Sequence, residues 1–294
     1  MRVLIIGLGS IGQRHLRLLK EHFSYEIFAK RHKKPEKKEN FGIKSLFSWE
    51  EVDEYYFDVA FICNPTYLHI ETAIECAKRK MHLFIEKPID CKLDRLDELL
   101  DIVDKKELTS YVVYPMRHIP GIKLLKAIME VEKDISLKAV CETNLNTWRL
   151  YPTYSLYRGQ GGGALLELSH EIDMLNYLLG PVKAIRGKVE RRTNITKDAE
   201  DFAELFLSHE TGNESCALLD IGNKRQSRYI EMSFKHHTWT EHLKVDDSIY
   251  LNQLKYFFNN LNNSRMMNNL FEASELFKQI IKFRDENPIN NLCP

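Results

Sequence analysis

The 294-residue chain lacks a net charge, with 42 basic side chains balancing 42 acidic ones. Without an excess of either sign there is no global field to draw it to nucleic acid or to an anionic membrane, so any anion binding must be local. Long apolar runs are missing too; the longest, such as Val59 to Cys63, fall far below the roughly 18 residues of a membrane span. The opening Met1-Arg2-Val3-Leu4-Ile5-Ile6-Gly7 runs directly into a strand pattern and a glycine, with none of the regions of a secretory signal, and predicts a cytoplasmic protein. Six cysteines, at positions 63, 76, 91, 141, 216 and 293, form no C-x-x-C pair and no zinc-like spacing, and read as reduced thiols. His236 and His237 are adjacent, but strand neighbours face opposite ways, so no metal is expected there.

What is present is an ordinary globular composition, 44% hydrophobic and 29% charged, long enough for two domains of about 150 residues each. Short apolar runs at Arg2 to Ile6, Tyr25 to Ala29, Val59 to Cys63, Leu83 to Ile85 and Ser110 to Tyr114 read as strands. Between them Ile11 to Lys20, Leu68 to Lys80 and Leu93 to Lys106 have helical spacing. The expected fold class is therefore α/β, with a doubly wound parallel Rossmann sheet over residues 1–118. After Pro120 the rhythm changes, and residues 119–294 predict an α+β domain with an open, mostly antiparallel sheet. Its expected elements are a short helix at Lys123 to Met129, strands at 136–143, 182–191, 201–208, 215–221 and 228–234, and helices at 164–179, 249–260 and 270–283.

Gly7-Leu8-Gly9-Ser10-Ile11-Gly12 lies between a predicted strand and a predicted helix, as the dinucleotide fingerprint requires. The first glycine permits a tight turn, the second lets the backbone approach a pyrophosphate, and the third allows close helix packing. The helix N-terminus adds free N–H donors for the phosphates. An NAD-selective site usually carries an acid about 20 residues further on, to hold the ribose 2′-hydroxyl. Lys30 and Arg31 stand there instead and favour NADP over NAD, since a cation pairs with a 2′-phosphate. Against this, Lys33, Lys34, Lys37 and Lys38 continue the charge run, as a solvated loop would.

Glu86-Lys87-Pro88 ends a strand at the carboxyl edge of the first sheet, where open α/β folds bind ligands. Further on, Gly161-Gly162-Gly163 leads into a helix on which Leu165, Leu168, Ile172, Leu175 and Leu179 form one stripe. Glu167 and His170 fall on another face, with Asp173 along its edge; alone, they would read as a solvated polar face.

Taken in order, these segments resemble the glucose-fructose oxidoreductase, inositol dehydrogenase and MocA family, Gfo/Idh/MocA. The glycine fingerprint, Asn64-Pro65-Thr66-Tyr67-Leu68-His69, Glu86-Lys87-Pro88, the Tyr114 to Pro120 segment, the Gly161 to Asp173 segment and Tyr250 to Phe257 carry the resemblance. It implies a cofactor site that includes Gly7, Gly9, Ser10, Ile11, Gly12, Asn64, Pro65, His69, Glu86 and Lys87, with Lys87 and His170 catalytic. It also implies a substrate lying between the second domain's sheet and the nicotinamide. The commoner family pattern has an Asp four residues before the histidine; here Glu167 stands three before His170, as in a Ser-His-Glu-Ile-Asp variant.

The expected chemistry is hydride transfer between nicotinamide and a secondary alcohol or ketone of a sugar, polyol or nucleotide sugar, with Lys87 and His170 at the reacting oxygen. Tyr114, Arg117, Trp148, Arg149, Tyr154, Tyr157 and Arg158, together with Glu167 and Asp173, are candidate substrate contacts. A same-family reductase of a bilin- or dihydrodiol-like substrate and a non-catalytic NADP-binding redox sensor are the alternatives. The alternating strands of the second domain predict one open sheet face and a homo-oligomer formed through it.

Overall fold

The computed structural model describes residues 1–33, 41–131, 135–148, 154–234 and 237–289. Lys34, Lys37, Lys38, Arg149, His236 and Cys293 lie outside the described residues, as does the side chain of Trp148. Two compact units result: Met1–Asp90, Asp94–Val113 and Tyr250–Glu272 in the first, and Cys91–Leu93, Tyr114–Ile249 and the chain from Ala273 on in the second.

In the first unit come β1 (Arg2–Ile6), α1 (Ser10–His22), β2 (Glu26–Lys30), β3 (Lys44–Leu46), α2 (Trp49–Asp53), β4 (Val59–Ile62), α3 (His69–Lys78), β5 (His82–Glu86), α4 (Leu96–Lys105) and β6 (Ser110–Val113). The sheet has the order β3-β2-β1-β4-β5-β6, and every pairing is parallel. Leu4, Ile5, Ala60, Phe61, Leu83 and Phe84 are wholly buried, which is why these strands read as continuous apolar runs rather than alternations. Strand order reverses between β1 and β4, and ligands of such sheets bind outside the carboxyl ends of the strands at that switch. Two elements were not expected. β3 has only three residues, and the five-residue α2 is held by a local cap, the Glu51 N–H donating to Ser48 Oγ at 3.2 Å.

The second unit contains α5 (Pro120–Val131), β7 (Ile135–Asn144), α6 (Leu145–Trp148), α7 (Ala164–Glu167), α8 (Ser169–Leu179), β8 (Val182–Glu190), β9 (Phe202–His209), β10 (Glu214–Asp220), β11 (Gly222–Phe234) and β12 (His237–His242). The chain closes with α9 (Asp247–Asn259) and α10 (Leu270–Glu286). Although α9 follows the second sheet in sequence, its Phe257 ring packs on Phe84 at 5.1 Å and on Phe61 at 6.3 Å, in the first unit.

The second sheet has the order β12-β11-β7-β10-β9-β8, antiparallel except for the β7–β10 pair. Helix α8 packs on β7 and β10. On the opposite face Phe206, between buried Leu205 and Leu207, is 51% exposed, whereas exposed Trp239 of edge strand β12, in register with Met232, Leu137, Ser215 and Leu207, shares the face of buried Leu207. No helix among the described residues is long and apolar enough to cross a membrane.

The expected helix 164–179 is two helices, broken at Leu168 with φ −107° and ψ 27°. The Ser169 hydroxyl donates to the Leu166 carbonyl at 3.1 Å, competing for an oxygen that a continuous helix would offer to the backbone. Leu165, Leu168, Ile172, Leu175 and Leu179 are nevertheless all buried, so the core stripe survives the break. A solvated polar face does not form, because Glu167, Glu171 and Asp173 are buried too.

Candidate functional site

The glycine turn follows β1 in the first unit. Gly7 has φ +91°, donates its N–H to the Lys30 carbonyl at 3.1 Å, and lies so close to Asn64 that a Cβ would meet that backbone at 2.8 Å. A Cβ at Gly12 would lie 2.0 Å from the Gly7 carbonyl oxygen, so the third glycine is required by the turn itself. Gly9 is different. It is extended (φ −69°, ψ −170°), heads the 13-residue α1, and has nothing within 4 Å of the place a Cβ would occupy. The chain's own packing does not require glycine there, whereas a pyrophosphate drawn against the first N–H groups of α1 would. Ser10 is exposed and Ile11 half-buried beside this opening. The dinucleotide therefore fits these residues.

At the end of β2, the Lys30 ammonium lies 4.7 Å over the Trp49 ring, which also takes the Arg79 guanidinium at 4.5 Å. Burial lowers the Lys30 pKa. Arg31, half-buried, lies over Phe41 at 5.5 Å.

Across the switch, Asn64 and Pro65 are half-buried at the end of β4. Asn64 Nδ2 donates to Thr72 Oγ1 at 2.8 Å. The buried His69 ring faces two carbonyl oxygens, Nδ1 to Pro88 and Nε2 to Asn64, each at 2.8 Å. Glu86 is buried against His15, Oε1 to Nε2 at 2.6 Å, and Lys87 beyond it is half-buried. The His15 ring makes edge contacts with Phe61 at 5.5 Å and Phe84 at 5.2 Å.

Sequence reasoning missed His15. Its signal was a polar side chain on the buried stripe of α1, in step with Gly12, Leu16 and Leu19. Cys63 shares this corner, its ligand atom within 4.8 Å of those of His15 and Glu86. Burial, then the Glu86 carboxylate, push its thiol well up, which disfavours the thiolate that a soft metal would need.

In the second unit His170 is half-buried, its ring edge-on to Tyr114 at 5.7 Å. Burial, followed by the Asp173 charge, raises the Tyr114 phenol, while a Ser169 hydrogen bond opposes the shift. Arg117 and Asp173, both expected at the substrate, form a buried bidentate pair with Nε to Oδ2 at 2.9 Å and Nη2 to Oδ1 at 2.6 Å. Arg117 also lies over the Tyr177 ring at 5.1 Å. Glu171 is fully buried and forms an ion pair with Arg228 of β11, Oε1 to Nε at 2.8 Å. The carboxylates Glu171 and Asp173, just after His170, thus fasten α8 to its surroundings.

Arg158 pairs with the buried Glu200 at 3.0 Å, and Tyr157 beside it is exposed. Tyr154 opens a single 3-10 turn ahead of them, Tyr154–Leu156. The Glu200 carbonyl accepts from Ala164 N–H at 2.8 Å, and its carboxylate would touch a Cβ on Gly163 at 2.4 Å. Gly163 has φ +107°, so the triple glycine serves this tight wrap around Glu200. Glu200 too was missed, because nothing local marks it as the anchor of a helix some 36 positions earlier.

Residues 1–114 match the GFO_IDH_MocA model, described as oxidoreductase family, NAD-binding Rossmann fold. Myo-inositol 2-dehydrogenase of Thermotoga maritima is 28% identical over 190 residues, 61% of this chain and 55% of that protein. The uncharacterized oxidoreductase YrbE of Bacillus subtilis is 32% identical over 178 residues, 58% of this chain and 50% of its own. The chain thus spans about half the length of the curated relatives it matches. Among solved structures, the WlbA dehydrogenase of Bordetella pertussis, in complex with NADH and UDP-GlcNAcA, superposes with a TM-score of 0.83 at 19% identity, covering 100% of this chain and 98% of that one. Residues 1–114 thus match the family model in sequence, and the fold is matched along the whole chain.

Proposed function

We propose that the chain is a cytoplasmic NAD(P)-dependent dehydrogenase acting on CH–OH groups, which moves a hydride between nicotinamide and a secondary alcohol or ketone of a sugar, polyol or nucleotide sugar. The observation that carries this reading is the open cradle at Gly9 over the N-terminus of α1, next to the strand-order reversal. Relatives named for myo-inositol, and a neighbour holding NADH with UDP-GlcNAcA, support the substrate class. Residues 1–118 serve the cofactor and 119–294 the substrate in this scheme.

The bound nicotinamide supplies the hydride chemistry. The protein's task is to orient the carbon and manage one proton. Lys87 and His170 are assigned to the reacting oxygen, one polarising it and the other exchanging its proton near neutral pH. Both are half-buried. Arg117, Asp173 and Arg158 act behind them, as the internal pairs that hold α8 and the triple glycine. Tyr157, Tyr154, Trp148, Arg149 and Glu167 remain the candidates for hydroxyl and phosphate contacts.

NADP is the preferred cofactor in this reading. Lys30-Arg31-His32 rather than an acid stands at the end of β2, and Arg31 is better situated for a 2′-phosphate than Lys30, whose ammonium is stacked on Trp49. The sheet face that carries exposed Phe206 is assigned to self-association. Sedimentation at micromolar concentration tests that assignment, and a monomer refutes it. For activity, purified protein is scanned with NADP and NAD against sugars, polyols and nucleotide sugars. Reduction of cofactor by one class supports the reading; binding of cofactor with no turnover on any class refutes it in favour of a redox sensor.

A further inference from the structure

Two histidines in the first unit, outside the reaction as described, hold the residues on either side of Lys87. His15 of α1 grips the Glu86 carboxylate at 2.6 Å, inside a box made by Phe61, Phe84 and Tyr250. Its side chain is fully buried and that of Glu86 only 11% exposed, so water does not compete for the contact. His69, at the start of α3, faces the carbonyl of Pro88 with one ring nitrogen and that of Asn64 with the other. Each ring nitrogen lies 2.8 Å from one of these carbonyl oxygens. The imidazole thereby ties the loop after β4 to the loop after β5, and Thr72 holds Asn64 from the same helix. Glu86 and Pro88 are fixed by side chains from α1 and α3, and Lys87 stands between them.

We propose that His15 and His69 are positioning residues, which set the ammonium of Lys87 at the place where it serves the reacting oxygen. This rests on the catalytic reading of Lys87 given above. Neither histidine touches substrate; each acts through its neighbour. An oriented catalytic group is sensitive to small displacements, about 1 Å being enough to cost on the order of 10²-fold in rate. A glycine turn that is complete without the His15 imidazole should meanwhile go on binding cofactor.

The test is a set of double-mutant cycles with Lys87→Ala, read as kcat beside NADP(H) affinity. His15→Leu and His69→Leu should each lower kcat about 10- to 100-fold, and His15→Leu should leave cofactor Kd within about twofold. His15→Gln, whose amide nitrogen reaches Glu86, should recover most of the loss. His69→Gln, reaching only one of its two carbonyls, should not. In a Lys87→Ala background neither leucine substitution should lower kcat by more than about twofold further, because they act through the missing amine.

A second readout needs no turnover. In 13C-methylated apoprotein, the Lys87 resonance, identified by its loss in Lys87→Arg, should shift in both leucine variants. Cofactor affinity falling in step with kcat in His15→Leu, fully additive losses with Lys87→Ala, or an unmoved Lys87 resonance would each overturn the proposal. Near-normal turnover in Lys87→Ala alone would instead overturn the catalytic reading, and the resonance would still decide whether the two histidines hold that lysine.

Discussion

The two inner glycines of the turn should fail in opposite ways when filled, and Gly9→Val is the sharper perturbation. At Gly9 the backbone is extended and the space beyond is open, so the new side chain meets no protein atom. Its cost to the fold is that of a poor helix cap, about 0.5–1 kcal/mol. Its cost to the cofactor is larger, since the side chain stands where the pyrophosphate must approach the first N–H groups of α1. Losing two charge-assisted hydrogen bonds at about 1.5–3 kcal/mol each weakens binding by roughly 3–6 kcal/mol, or about 10²- to 10⁴-fold in Kd. Gly12→Ala puts a methyl carbon 2.0 Å from the Gly7 carbonyl oxygen, and the backbone must move. Overpacking of that kind costs about 1–3 kcal/mol, with or without cofactor. Fluorescence titration with NADPH beside thermal melting of the apoprotein separates the two. Gly9→Val that melts normally and still binds NADPH within about threefold of wild type would refute the cradle assignment.

Much of the first sheet was legible in sequence because its strands are buried on both faces: the predicted runs at β1, β4, β5 and β6 differ from the observed strands by a residue or so at their ends. β3 was not, since three residues carry no period. In the second unit alternation revealed β7 to β11, but β12 has almost no buried residue to create a pattern. The helix after the triple glycine was read as continuous because its apolar stripe has one period throughout. Its break depends on a hydroxyl competing for one carbonyl and on Glu200, a contact distant in sequence. The same limit governs the site. Sequence order brought the candidate motifs together, yet it could not tell which polar residues have an internal partner. Arg117 and Asp173 are far apart along the chain and paired in space, and His15 looked like one more helix residue until Glu86 was found against it.

Arg31→Ala should raise the Kd for NADPH by at least about tenfold, the loss of one charge-assisted contact at roughly 1.5–3 kcal/mol, and leave NADH unchanged; equal losses for both would remove the 2′-phosphate assignment. His118 is held neutral by burial first and by Lys123 and Arg117 next, its pKa lowered from 6.5 to about 3. The unfolded chain takes up a proton there that the native state refuses, so this stability is complete above pH 6.5 and is lost as pH falls towards 3. Urea titrations should show His118→Phe less acid-sensitive over that window, and an unchanged pH slope would count against it. The Arg117–Asp173 pair decides between holding the fold and holding a substrate. Both side chains are about 1% exposed, so Arg117→Met strands a carboxylate away from water and should destabilise the second unit by about 3–5 kcal/mol. Adding Asp173→Leu removes the stranded charge and should return part of that loss, making the double variant more stable than the single one. A pair that served substrate instead would leave the urea midpoint of Arg117→Met at the wild-type value and raise only KM, and that result would restore both residues to the substrate site.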